Sequence, residues 1–254
     1  MEPVRTPFQG VWNIVRFNWH FYVLAAAFGL GLGGLWWLWP PLRSYAAGLL
    51  VLLLVPVVVS LAVSTYVYDF SSLYRLSWLP VGALPANAQV LTINAGFDEI
   101  SAIIQRNYAG CRVQAVDFYD PARHTEVSIK RARRAYPPFP GTRAVDTRMP
   151  LPFATHSVDC SVAFLAAHEI RDATERAAFF QEIGRVTKPG GLIVVTEHLR
   201  DPANFLAYTI GFLHFHSRPT WLATFQHSGL QVEQEIKITP FITTFLLRAH
   251  GTTA

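Results

Sequence analysis

Charge is scarce in this chain. Lys, Arg, Asp and Glu make up 15% of its 254 residues, against 51% hydrophobic residues, and the formal net charge is +4. That mild balance does not look like the basic footprint of a nucleic-acid binder, so no nucleic-acid partner is expected. Cysteine is nearly absent. Cys111 and Cys160 are too few for a disulfide framework, and Cys160 falls inside an apolar run, which suits a reducing compartment. Nine His occur without a Cys-x-x-Cys or His-Glu-x-x-His spacing, so no metal is expected. The chain also lacks the three glycines of a dinucleotide fingerprint.

Apolar sequence is abundant, and most of the excess precedes residue 80. Tyr22–Trp39 and Ala46–Tyr66 are apolar throughout. As helices they would measure roughly 27 and 31 Å, against about 30 Å of bilayer hydrocarbon. Leu42–Tyr45 alone must turn the chain between them, which implies an antiparallel hairpin. Ala25, Gly29 and Gly33 on the first span, and Ser60 and Ser64 on the second, would let the two backbones approach closely in lipid. Pro56 should bend the second span, and Trp36-Trp37-Leu38-Trp39 supplies an interfacial aromatic belt. No small-residue cleavage site follows Trp39, which argues against a signal peptide. A hairpin buried in a soluble protein would need a larger partner domain than this chain offers. Residues 1–66 are therefore expected to insert into the lipid bilayer with two spans. Arg5, Arg16 and Arg75 flank one end and Arg43 the other, favouring a domain on the cytoplasmic side. Residues 67–85, where Tyr68, Phe70, Tyr74 and Trp78 mix with polar residues, read as an interfacial linker.

From residue 86 the patterning changes. Val90–Ile93 is a strand followed by the turn Asn94-Ala95-Gly96-Phe97-Asp98-Glu99, a helix over 100–107 and a second strand, Arg112–Val116, ending at Asp117. Leu151-Pro152-Phe153 and Ser157-Val158-Asp159 lead into Cys160–Ala167, an unalternating apolar run that suits a strand covered on both faces. Helical spacing over Thr174–Val186 ends at Lys188-Pro189-Gly190-Gly191, and Leu192–Thr196 is another buried strand. These two strands end in His168-Glu169 and Glu197-His198, where open α/β sheets bind ligands. Val145-Asp146 closes a short third strand, and Leu230–Ile238 with Phe241–Arg248 forms a terminal pair.

The order and spacing of Leu151-Pro152-Phe153, Ser157-Val158-Asp159 and Lys188-Pro189-Gly190-Gly191 resemble the second half of a class I S-adenosylmethionine-dependent methyltransferase of the small-molecule type. The resemblance implies an α/β, doubly wound sheet of seven strands, mostly parallel with the last antiparallel, over residues 86–254. It implies S-adenosylmethionine as cofactor, with Asp117 and its neighbour Phe118 at the ribose and the turn Asn94, Ala95, Gly96 beside them. It also implies Asp146 or Thr147 near the adenine, and Ala163 and Phe164 at the end of strand four. Of the family's three alternating glycines only Gly96 remains. Asn94 and Asp98 take the other places, Asn94 as a residue that tolerates left-handed backbone, and Thr92 replaces an acidic residue.

Methyl transfer to a hydroxyl or amine needs in-line positioning and removal of one proton. His168 and His198 are the candidate bases, since imidazole titrates near neutrality; the plain alternative is a structural His bonded to a loop. Glu169 is expected to orient His168 or to pair with Arg171. The run Lys130-Arg131-Ala132-Arg133-Arg134 reads as a solvated helix face, with anionic headgroups as the alternative. Asn204–His216, apolar nearly all round a helix, must be covered on every side, and by resemblance it borders the acceptor. Two functions follow. One is a methyltransferase for a lipophilic small-molecule acceptor, such as a quinone, isoprenoid or lipid. The other is a degenerate fold serving as scaffold for a membrane protein partner. Asp117 and the polar strand ends favour the enzyme.

Overall fold

The structure is a computed structural model that describes residues 5–80 and 84–249. The start of the first segment, residues 81–83 of the expected linker and the last five positions of the expected domain lie outside the described residues.

Seven strands form one sheet in the order β3-β2-β1-β4-β5-β7-β6: β1 Gln89–Asn94, β2 Arg112–Asp117, β3 Arg143–Ala144, β4 Val158–Phe164, β5 Thr187–His198, β6 Leu230–Thr239 and β7 Ile242–Ala249. The first five run parallel, and β7 is antiparallel to both β5 and β6. The α/β fold expected from the sequence is present. β3, Arg143–Ala144, ends two residues before the expected Asp146, because its partner β2 ends at Asp117.

Alternate residues of a strand face opposite sides, so the sheet has two cores. On one side Leu91, Ile93 and Val195 meet Phe179, Phe180 and Ile183 of α6 (Ala173–Val186) and Trp221 and Phe225 of α8 (Arg218–His227). On the other, Val90, Val162 and Val194 meet Ile103 and Ile104 of α4 (Ser101–Asn107). That second core is completed by Val67, Leu73, Leu76 and Leu79. The stretch expected to lie along headgroups as a linker is thus packed onto the sheet, because its apolar residues fill the face that α4 leaves open. Fully burying each such side chain contributes about 1.5–3 kcal/mol.

Two helices long and apolar enough to cross a membrane precede the domain, α2 (Trp19–Leu38) and α3 (Arg43–Thr65). A short turn, Pro40–Leu42, joins them, and Pro56 lies inside α3. Only Leu32 in α2, with Ala46 and Ser64 in α3, is buried. A further helix, α1 (Gln9–Phe17), was not legible in the sequence. The Asp69 carboxylate holds it by accepting the backbone N–H groups of Gly10 (2.7 Å) and Val11 (2.9 Å). Glycine is required there, since a Cβ on Gly10 would stand 2.4 Å from that of Tyr68.

The apolar segment after β5 is not one helix. α7 (Pro202–Tyr208) stops at Thr209, where φ is 50°, and tight turns continue to His214.

Candidate active site

Two depressions open at the carboxyl ends of β1, β2, β4 and β5. The smaller, about 50 Å³, is lined by Asn94, Gly96, Asp98, Asp117 and Arg133, among others. Parallel pairing sets Asn94 beside Asp117. At Gly96 φ is +93°, which turns its N–H onto Asp117 Oδ1 at 2.7 Å. The Tyr119 N–H donates to the same oxygen (2.9 Å), and the Arg133 guanidinium pairs with Oδ2. Asn94 itself is extended and donates to the Val116 carbonyl (3.3 Å), so the left-handed backbone expected of it falls at Gly96 instead. Thr92 is satisfied by the Ser101 hydroxyl. Asp98 has a structural use: Oδ1 accepts the N–H groups of Ile100 (3.1 Å) and Ser101 (2.9 Å) and starts α4. Its Oδ2 is buried without a partner. A Cβ on Gly96 would meet Ile129 at 2.8 Å and Tyr119 at 2.9 Å, so the chain's own side chains cover the bare backbone here.

The helix α5 (Val127–Ala135) provides that cover. Its basic run is only partly a solvated face. Arg131 reaches back to the Phe17 carbonyl and to His20, and Arg133 holds Asp117 while lying over the Tyr119 ring at 4.4 Å.

The larger cavity, about 660 Å³, joins the sheet to the N-terminal helices. Ala95, Phe164, His168, Glu169 and His198 line it from the domain; Asn13, Phe17, Tyr22, Pro56, Ser60 and Ser64 line it from α1, α2 and α3. Asn13 Nδ2 is buried there without a partner. His168 is fixed by Glu197: Nδ1 lies 2.7 Å from Oε2, and the backbone N–H of His168 donates to Oε1 at 3.2 Å. Burial works to lower the His168 pKa, but the charge and hydrogen bond of Glu197, with Glu169 adding to them, leave it above the usual imidazole value. Glu169 faces the other nitrogen, Nε2, at 3.5 Å. Against the pull of burial, His214, His168 and Arg171 hold the Glu169 carboxyl down at about 2. The expected Glu169–Arg171 contact is replaced, since Arg171 packs on His214 and His214 Nε2 lies 3.2 Å from Glu169 Oε1.

His198 is held differently. Its Nδ1 lies 3.0 Å from both Asn204 Oδ1 and the Phe241 carbonyl, so it carries the proton, and Nε2 accepts from the Tyr68 hydroxyl at 2.8 Å. The ring stacks on Phe215 at 4.7 Å. Burial pushes its pKa down to about 4. His198 is therefore a neutral, clamped group, whereas the carboxylates around His168 favour its charged form.

Not every expected residue reaches a cavity. Phe118 and Ala163 are core residues. Asp146 pairs with Arg148 (2.8 Å), whose side-chain and backbone hydrogen bonds lower its carboxyl to about 2. Thr147 is buried against Glu175, which also pairs with Arg123. The sequence assigns no role to His214 or Tyr68, which line the cavity, or to Glu197, which lies buried behind His168. A carboxylate closing an otherwise apolar strand was the visible signal for Glu197. Nothing in the sequence links Tyr68 to His198, 130 positions away.

Residues 91–195 match the family model for a methyltransferase domain. The domain has the class I S-adenosylmethionine-dependent methyltransferase fold. Over 134 residues the chain is 31% identical to the 2-methyl-6-phytyl-1,4-hydroquinone methyltransferase of Synechocystis sp., a match covering 50% of this chain and 39% of that protein. The chain thus spans well under half that relative's length. Among solved structures, the (4+2)-cyclase SpnF is similar with a TM-score of 0.50 at 15% identity, covering 69% of this chain and 81% of that one. A S-adenosylmethionine-dependent methyltransferase of Methanosarcina mazei gives 0.49 at 15% identity, over 67% and 97%. At such identities the likeness is one of fold, and a cyclase among the neighbours shows that this fold hosts more than one chemistry.

Proposed function

We propose that this protein is a membrane-anchored S-adenosylmethionine-dependent methyltransferase for a lipophilic acceptor with one polar head, of the quinone, isoprenoid or lipid kind. The observation that carries this reading is the 660 Å³ cavity shared by the strand ends and the apolar hairpin. Its size falls in the usual range for small-molecule sites, about 300–1,000 Å³. Its polar end holds His168, Glu169 and His198; its other end is roofed by Tyr22, Pro56 and Val57 of the hairpin. An acceptor held there has its head among titratable groups and its tail toward the helices. The hydroquinone named for the Synechocystis relative is a molecule of that shape.

The hairpin's outer surface supports the anchor. Leu30 is 79% exposed and Leu52 71%, and such a continuous apolar surface needs lipid or a partner to cover it. The arginine distribution favours a cytoplasmic domain.

Asp117, Gly96, Ala95 and Asn94 are the residues that would hold the cofactor, and the unpartnered Asp98 Oδ2 in their midst fits a polar ligand. The bound cofactor supplies an electrophilic methyl group. His168 removes the acceptor's proton at Nε2, while Glu197 fixes the ring through Nδ1 and stabilises the imidazolium that forms. His198 and Tyr68 shape and desolvate the same end of the cavity.

The scaffold reading has one observation in its favour: Arg133, Tyr119 and Ile129 occupy the approach to Asp117 and Gly96. Calorimetry on the full chain in nanodiscs separates the two. The enzyme reading expects saturable S-adenosylmethionine binding, weakened roughly ten- to hundred-fold by Asp117→Ala, since a charged hydrogen bond contributes about 1.5–3 kcal/mol. Absence of binding by the wild type would sink the enzyme reading and promote the scaffold.

A further inference from the structure

Two imidazole nitrogens and a carboxylate oxygen converge at the inner end of the large cavity. Glu169 Oε1 lies 3.5 Å from His168 Nε2 and 3.2 Å from His214 Nε2, and the three groups offer ligand atoms within 4.8 Å of one another. The His168 ring is turned by Glu197, which lies 2.7 Å from Nδ1. With the proton on Nδ1, Nε2 points a lone pair at a carboxylate oxygen, an arrangement that is repulsive unless a second proton or a metal cation stands between them. The charge balance asks for the same thing. Glu169 and Glu197 surround His168, and Glu126 Oε1 lies 3.1 Å from His214 Nδ1, with Arg171 the cation packed on that ring.

We propose that His168, Glu169 and His214 bind a divalent transition-metal ion of the zinc class. In a tetrahedral site with ligand bonds of about 2.0–2.1 Å, neighbouring ligand atoms are about 3.3 Å apart. The two measured separations bracket that value. Two imidazoles with one carboxylate form a borderline donor set that suits Zn²⁺ or Co²⁺ rather than Ca²⁺ or Mg²⁺. Glu197 plays the part of an outer carboxylate that fixes the tautomer and raises the basicity of its histidine. Three protein ligands leave a fourth position, and all three residues line the cavity, so that position is open to a cavity ligand. Arg171 Nη2 lies 2.8 Å from His214 Nε2 and competes with the ion. Its side chain is exposed and free to turn into solvent.

Metal binding at these three residues is separate from methyl transfer and can be measured without cofactor or acceptor. With the ion bound, His168 Nε2 is a ligand, so the ion-loaded and ion-free proteins differ in which group handles the acceptor's proton. Tag-free full-length protein in nanodiscs, stripped with chelator and dialysed, is titrated with Co²⁺ and followed by visible absorption, then back-titrated with Zn²⁺. The expected result is one Co²⁺ per chain with the intense visible band of tetrahedral coordination, displaced by Zn²⁺. Affinity should fall about tenfold or more in His214→Ala, and about 10–100-fold in Glu197→Gln. Arg171→Ala should bind at least as tightly as the wild type. Zn²⁺ should raise the thermal midpoint of the wild type and not that of His214→Ala, a variant at a half-buried position whose fold circular dichroism verifies. A weak octahedral spectrum, no saturable binding, or binding unchanged in both His214→Ala and His168→Ala would overturn the proposal and leave the cluster as one held together by protons.

Discussion

His168 and His198 are the same residue type at the ends of adjacent strands, and their surroundings drive them in opposite directions. Glu197 and Glu169 hold the first above its ordinary pKa, while burial beside Phe215 and Tyr68 takes the second to about 4. For a base that must be neutral to act, a raised pKa means that the rate climbs with pH above the usual imidazole range. Replacing Glu197 by Gln removes the carboxylate that sustains the shift. In a pH–rate profile recorded with chelator present, Glu197→Gln should move the rise to lower pH and lower its plateau. His168→Ala should lower kcat while leaving cofactor affinity within about twofold. An unmoved profile in Glu197→Gln would remove His168 as the base.

His198 makes a prediction about stability rather than rate. Its folded pKa of about 4 lies below the unfolded value of about 6.5, so the folded state resists its protonation. The associated stabilisation is complete above pH 6.5 and is lost as pH falls toward 4, at about 1.4 kcal/mol per pH unit. His216, also pushed to about 4 by burial and then Arg176, has the same sign. His168, with a raised pKa, has the opposite sign, and its contribution is already complete below pH 6.5. Denaturant titrations between pH 7 and 5 should show a decline that His198→Gln reduces by about half. A flat wild-type stability over that interval would contradict the burial argument.

Among the elements, α5 has the most consequences. It touches the cofactor cradle through Ile129 and Arg133, and α1 and α2 through Arg131 with Phe17 and His20. On the proposed reading, cofactor entry at Asp117 and Gly96 requires α5 to yield. Removing the Arg133–Asp117 pair frees the carboxylate, so Arg133→Ala should tighten S-adenosylmethionine binding several-fold; weaker binding would mean that Arg133 contacts the ligand instead. The sequence could not show this. The basic run has the composition of a solvated face, and only the partner side chains, Asp117 and Phe17, reveal which arginines turn inward. The strands, by contrast, were legible, because β4 and β5 are apolar on both faces and their polar ends follow directly. The segment after β5 was misread as one helix, since periodicity carries no mark of the break at Thr209, a non-glycine residue at positive φ. The cavity could not be read either. His168, His214 and Tyr68 meet there through tertiary contacts spanning tens of residues or more.

At the scale of the molecule, the hairpin is more than a tether. The stretch after α3 fills the second core of the sheet, α1 is fixed by Asp69, and side chains of α2 and α3 line the large cavity. An anchor for a water-soluble acceptor would need none of these contacts. A lipophilic acceptor is tested by placing the full chain in native-lipid nanodiscs with S-adenosylmethionine labelled in its methyl group and following the label. Label should pass into the organic-extractable fraction, and His168→Ala should suppress this transfer. Label confined to protein or to water-soluble products, from a preparation that binds the cofactor, would contradict a lipophilic acceptor.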